Sequence, residues 1–224
     1  MSFRHITVLA LALAAPSLLG IHSTAIAAEQ DLSVNARLLL AARNADSVAL
    51  ERELKRGAAP NARNRLGETA LLIALKKNEL GMAKTMLAAG TDVNLAAVNG
   101  VTPLMAAAYA GEVEMVTALL ARGADANAVD RLNKNAMTYA AGEGRAEIVQ
   151  LLLAKGIDPN GIYSNDLTAL MWAAGSGKTA AVKVLLDAGA RTDLRDNRGL
   201  TALDMAREGK HDETAKVLAN ARRG

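Results

Sequence analysis

The stretch TPLMAAAYAGEVEMVTALLARGADAN, residues 102–127, contains the complete local plan of a structural unit. Pro103 suits the first position of a helix, where a missing backbone donor is no loss. Leu104, Ala107 and Ala108 then fall on one face of that helix. A second helix is predicted over 112–121, with Val113, Val116, Leu119 and Leu120 as its apolar stripe. Gly123 follows at the place where a positive-φ residue commonly ends a helix. Two helices this short cannot bury such a stripe between themselves, so the unit requires neighbours.

The neighbours recur at one constant spacing, the distance along the chain from Gly57 to Gly90. Gly57, Gly90, Gly123, Gly156 and Gly189 keep it, as do Ala41, Ala74, Ala107, Ala140, Ala173 and Ala206. So do Leu38, Leu71, Leu104, Met137, Leu170 and Leu203, and Asn61, Asn94, Asn127 and Asn160 with Asp193 in fifth place. The alanine row predicts a methyl group wherever helices of adjacent units approach closely. Gly67, Gly100, Asn133, Asp166 and Gly199 share another phase, and these residue types tolerate the positive φ of tight turns. A repeat of this length carried without insertion defines a stacked array, not a globule.

On these residues the chain resembles the ankyrin repeat. The family's opening motif, Thr-Pro-Leu-His-x-Ala-Ala, is matched by TALLIAL from Thr69, TPLMAAA from Thr102, NAMTYAA from Asn135, TALMWAA from Thr168 and TALDMAR from Thr201. Its closing motif is matched by LLARGADAN from Leu119 and LLAKGIDPN from Leu152. The resemblance implies an all-α solenoid of about six stacked helix-turn-helix units with projecting hairpin loops. The units run approximately 34–66, 67–99, 100–132, 133–165, 166–198 and 199–224, the first and last being caps. The family histidine is replaced by Leu72, Met105, Thr138, Met171 and Asp204, which removes its bracing of neighbouring turns and makes the inner groove more apolar through Met105 and Met171.

One stretch suggests different chemistry. GSGKT, residues 175–179, ends like a phosphate-binding loop. Such a loop needs a glycine five residues before Gly177, where Trp172 stands, and a strand before it, where the repeat predicts helix. Gly177 keeps phase with Gly144 and Gly111 instead, and Lys178 with Arg145 and Glu112. The likeness is a by-product of the repeat.

Composition argues against several other classes. The 224 residues include 26 basic and 23 acidic ones, mixed along the chain, without the concentrated basic face of a nucleic-acid binder. With no cysteine, disulfides, thiol chemistry and thiolate metal sites are excluded. Only His5, His22 and His211 are present, two of them in the leader, so neither a metal site nor a His-based catalytic pair is expected. Glu112, Glu114, Asp212 and Glu213 fall at helix starts, where they favour the backbone dipole. The expectation is a monomeric protein with no cofactor, no catalytic residues, and no nucleic-acid or metal partner.

The stretch from Met1 to Ala28 reads as a secretory leader. Arg4 and His5 precede an apolar run from Ile6 to Leu19, and Ala25-Ile26-Ala27 presents small residues for cleavage after Ala27 or Ala28. Pro16 and Gly20 shorten the run below the roughly 20 apolar residues of a span. A periplasmic or secreted protein follows, with a membrane-tethered adaptor as the rival if the leader is retained.

What remains is protein binding. In ankyrin-like arrays the partner sits on the concave surface of turn tips and first helices. Carried over position by position, this surface comprises Arg65, Leu66, Lys76 and Lys77; Val98, Asn99, Val101 and Tyr109; Arg131, Leu132, Lys134 and Glu143; and Asn165, Leu167 and Arg198. Tyr109 is the leading single residue, since tyrosine and arginine are enriched among binding hot spots. Arg65, Lys76, Lys77, Arg131 and Lys134 suggest a basic half-groove for an acidic protein surface. Trp172 is read as framework, in phase with Ile73, Ala106, Tyr139 and Met205.

Overall fold

A computed structural model describes residues 32–221, so the leader and its expected cleavage after Ala27 or Ala28 lie outside the described residues. Among the described residues, twelve α-helices form six pairs. The first helices of the pairs are α1 (Val34–Asn44), α3 (Ala70–Lys76), α5 (Pro103–Ala110), α7 (Ala136–Glu143), α9 (Ala169–Gly175) and α11 (Ala202–Glu208). The second helices are α2 (Ser47–Lys55), α4 (Leu80–Ala88), α6 (Val113–Ala121), α8 (Ala146–Ala154), α10 (Thr179–Asp187) and α12 (Asp212–Ala221). Each first helix packs on the next first helix, and among the second helices α2 packs on α4, α6 on α8, α8 on α10 and α10 on α12, as a solenoid requires.

Sequence chemistry sets each helix start. Thr69, Thr102, Asn135, Thr168 and Thr201 are extended N-caps whose side chains accept the backbone N–H three residues on. At the last of them a full capping box forms, because Asp204 Oδ2 accepts from both the Thr201 N–H at 3.0 Å and its hydroxyl at 2.7 Å. The second helix of the third unit begins one residue later than its pattern suggests, with Glu112 as N-cap. Its stripe is also rotated: Met115, Val116 and Leu119 are buried, whereas Val113 and Leu120 are half-buried.

The alanine row is buried from Ala41 to Ala206, and so is the Leu38 to Leu203 series. Six alanines in register let successive first helices approach closely, which explains how a chain with 2% aromatic residues still closes its core. Replacing one of the buried leucines by alanine is expected to cost about 2–5 kcal/mol.

Loops join the pairs. Each closes with a backbone bond across four residues: Asn64 N to Glu68 O, Ala97 N to Val101 O, Asp130 N to Lys134 O, Tyr163 N to Leu167 O and Asp196 N to Leu200 O, at 2.9–3.0 Å. Only one isolated bridge, Arg63 with Thr69, has strand character among the described residues. Gly100 shows why the turn phase favours glycine. Its φ is +84°, and a Cβ there would lie 2.8 Å from Asp130 Cα in the next loop.

Asparagines join the loops that follow the second helices. Asn61 Oδ1 accepts from Asp92 N at 2.8 Å, Asn94 Oδ1 from Asp125 N at 2.8 Å and Asn160 Oδ1 from Arg191 N at 2.7 Å. Asn94 and Asn160 also donate to Gly123 O and Gly189 O. The loop tips join similarly, through Val98 N to Leu66 O, Arg131 N to Asn99 O and Asn197 N to Asn165 O.

Candidate binding groove

The first helices and loops border three adjoining concavities. The first, about 260 Å³, is lined by Leu75, Lys76, Val101, Met105, Ala106, Tyr109, Ala110 and Tyr139. The second, about 130 Å³, shares Tyr109 and Tyr139 and adds Lys134, Thr138, Gly142, Glu143, Trp172 and Ser176. The third, about 350 Å³, shares Trp172 and Ser176 and extends to Leu167, Met171, Arg198, Met205 and Glu208. Shared walls make them one groove, partitioned by the Tyr109–Tyr139 pair and by Trp172.

A chain of ring contacts fixes those partitions. Tyr109 and Tyr139 meet edge to face, with centroids 6.1 Å apart and planes at 84°. The Tyr139 hydroxyl donates to Asp130 Oδ2 at 2.6 Å. Burial, that hydrogen bond and the neighbouring carboxylate charge together push the phenol well above the ordinary tyrosine value. Lys134 places its ammonium 4.1 Å from the centre of the Trp172 ring and 5.8 Å from that of Tyr139. The Trp172 indole N–H is itself buried and makes no hydrogen bond among the described residues.

The loops that carry the rim are held from below by carboxylates. Asp130 Oδ1 accepts the backbone N–H of Leu132 at 2.8 Å and of Lys134 at 2.9 Å. Asp196 does the same for Arg198 and Leu200. Burial works against the charge on Asp196, but the bonds from Leu200 and Arg198 outweigh it and hold the carboxyl below its usual range. Glu68 accepts from Lys76 at 2.6 Å and from Asn64 at 2.9 Å, and is lowered despite its burial.

The fifteen residues expected on the concave surface are all exposed or half-buried. Lys76, Val101 and Tyr109 meet in the first concavity, Tyr109, Lys134 and Glu143 in the second, and Leu167 and Arg198 in the third. Arg65, Leu66, Lys77, Val98, Asn99, Arg131, Leu132 and Asn165 line none of the three; most of them lie on the loop tips. Two expected free cations have internal partners, since Lys76 pairs with Glu68 and Lys134 covers Trp172. Trp172 is half-buried and divides the groove, so the phase it shares with Ala106, Tyr139 and Met205 supplies groove lining rather than hidden framework.

GSGKT takes the place the repeat assigns to it. Gly175 ends α9 and Lys178 is the N-cap of α10. Lys178 lies across the preceding unit, where a Cβ on Gly144 would fall 2.8 Å from its Cδ.

A row of helix pairs with an open, mostly apolar groove along its first helices is the architecture of a repeat-type interaction module. Comparison with known families agrees: the model described as ankyrin repeats (3 copies) matches residues 38–130, 79–163 and 137–223. The chain therefore belongs to the ankyrin-repeat family, whose members are generic protein–protein interaction modules and not a catalytic class. No curated protein matches the sequence. Among the described residues no helix is long and apolar enough to cross a membrane, and no three acidic or histidine side chains converge on a metal site.

Proposed function

We propose that the protein is a non-enzymatic binder that works outside the cytoplasm, holding, stabilising or inhibiting a protein partner in the bacterial periplasm. Its binding surface is the groove between Leu75 and Glu208 together with the loop tips above it. The observation that carries this reading is the exposure of large apolar side chains along one side of the array: Tyr109 at 54%, Leu66 at 63%, Val98 at 51% and Leu132 at 62%. Clustered apolar exposure of this kind marks interaction sites on soluble proteins. Export rests on the leader, with Ala25-Ile26-Ala27 before the cleavage point.

Photo-crosslinking in intact cells tests the surface. A probe at position 109 is expected to capture a partner that probes at Lys55 and Lys183, on the second helices, do not. Capture from positions 55 or 183 alone overturns the groove assignment. Intact mass of the exported protein tests the leader, because loss of residues up to Ala27 or Ala28 removes any tether. Fractionation then distinguishes a periplasmic protein from an effector released into the medium.

A further inference from the structure

The charges around the first concavity are arranged unequally. Its lining is apolar apart from the Lys76 ammonium and the phenol hydroxyls of Tyr109 and Tyr139, and its neighbouring carboxylates are already engaged inside the protein. Glu68 is taken by Lys76 and Asn64, and Asp130 by the Tyr139 hydroxyl and two backbone N–H groups. Both are buried. The cations stand on the outside. Arg65 and Arg131 are exposed on the loops before α3 and α7, and exposed Lys77 follows Lys76 at the end of α3. None of these three side chains forms an ion pair among the described residues. The nearest carboxylate in the groove without an ion pair, Glu143, belongs to the second concavity, beyond Tyr139. The rim of the apolar pocket thus carries an excess of positive charge, because Glu68 is paired with Lys76 and the charge of Asp130 offsets only part of Arg65, Lys77 and Arg131.

We infer that the first concavity receives a large aliphatic or aromatic side chain of a protein partner, within a segment whose flanking residues are Asp or Glu. The inference rests on the groove being the binding surface and adds the chemistry of what binds there. Apolar burial against Val101, Met105 and Tyr109 supplies the anchor. Arg65, Lys77 and Arg131 select the flanks, because like charges brought to that rim are repelled and carboxylates are attracted. Towards the third concavity Arg198 already pairs with Asp196 at 2.8 Å and Glu208 adds negative charge, so the acidic preference is confined to the end of the groove near Tyr109.

Selection of a random peptide display library on the purified protein tests this. The expected result is enrichment of peptides with a large apolar residue between carboxylates. Their binding is expected to be lost in Tyr109→Ala and in Ala110→Gln, each verified as folded by circular dichroism. In the double reversal Arg65→Glu with Arg131→Glu it should weaken about tenfold, and raising salt to about 1 M should weaken it similarly. Peptides that need Tyr109 but show no acidic preference, or that survive the reversal, overturn the inference and leave the groove reading standing. Enrichment indifferent to Tyr109 and Ala110, or no enrichment at all, overturns both.

Discussion

The ammonium of Lys134 stands 4.1 Å from the centre of the Trp172 ring, although the two residues belong to successive units of the repeat. Lys134 is held there by its own backbone, whose N–H is fixed on Asp130 Oδ1 at 2.9 Å. The contact therefore ties a loop to the next first helix across the floor of the groove. A cation over an indole contributes roughly 0.5–2 kcal/mol, more as the site is desolvated. Both side chains are half-buried, which places the expected coupling near the middle of that range.

A double-mutant cycle with Lys134→Met and Trp172→Leu is predicted to give a coupling of about 1 kcal/mol. Urea unfolding followed by circular dichroism measures it in all four proteins. Because Trp172 is the sole tryptophan, Lys134→Met alone should also change the intrinsic emission. Coupling below ~0.3 kcal/mol would show that the two side chains stand together without attracting each other.

Acid should unfold the N-terminal end through one buried carboxylate. Glu53 on α2 is fully buried and accepts from Arg37 at 2.9 Å, Arg52 at 2.9 Å and Arg56 at 3.1 Å. Burial alone would raise its pKa, but hydrogen bonds from Arg52 and Arg37 and the charges of Arg37 and Arg56 outweigh it and lower the value. A carboxyl lowered on folding contributes stability that is complete above the ordinary glutamate value of about 4.3 and is lost as pH falls through the folded value. Glu68, Asp196 and Asp204 are lowered as well and act in the same direction. Thermal midpoints should thus be flat from about pH 7 to 5 and fall below that. Glu53→Gln should cost about 2 kcal/mol at pH 7, a cost that shrinks only as pH falls through the lowered folded-state value and the wild-type carboxyl is itself protonated.

Tyr139 offers a spectroscopic check on the groove. Its phenol is raised chiefly by burial, then by its hydrogen bond to Asp130 and by that group's negative charge. Asp130→Asn keeps an acceptor near the hydroxyl but removes the charge. In an alkaline absorbance titration, one tyrosine of the variant should ionise at lower pH than in the parent. Loss of the charge should also weaken the hold on the Leu132 and Lys134 amides, with faster exchange at both positions. An unchanged titration would remove Asp130 from the account of the partition between the first two concavities.

The array was legible in the sequence because each unit must solve the same packing problem. A methyl at the Ala107 position recurs in every unit, and a capping residue type at the Thr102 position and a turn residue at the Gly100 position recur in all but the first, so periodicity shows all three. The groove was legible only in part. Tyr109 was legible as a groove residue because tyrosine is enriched among binding hot spots. Trp172 seemed part of the framework because motif phase tells which helix face a residue occupies, not how deep a larger side chain reaches from it. The pairing of Lys76 with Glu68 spans a whole helix, and that of Lys134 with Trp172 crosses into the next unit. No local pattern encodes either. The inward turn of Glu68 and Asp130 was hidden for the same reason.

Identical residues at identical repeat positions are not equivalent, and Asn127 shows it. Asn61, Asn94 and Asn160 each accept the backbone N–H of the residue 31 positions on, in the next loop. Asn127 makes no such bond to Asp158 among the described residues, and the loop tips on either side of this seam are also unjoined there. The loop before α9 differs from its counterparts. It has Tyr163 in the phase where Asn64, Asp130 and Asp196 each accept two N–H groups through a side-chain oxygen, and where Ala97 accepts none. The loop instead turns through a short 3₁₀ segment (Ser164–Asp166), with Asn165 and Asp166 at φ of 59° and 60°, and the Tyr163 hydroxyl accepts from Asn135 at 2.7 Å. Asn94→Ala and Asn160→Ala should therefore each cost about 1–2 kcal/mol, and Asn127→Ala less than about 0.5 kcal/mol. Hydrogen exchange should find the Asp158 amide open sooner than those of Asp92, Asp125 and Arg191. Equal costs at the three asparagines, or equal protection at the four amides, would mean that the seam is braced like the others.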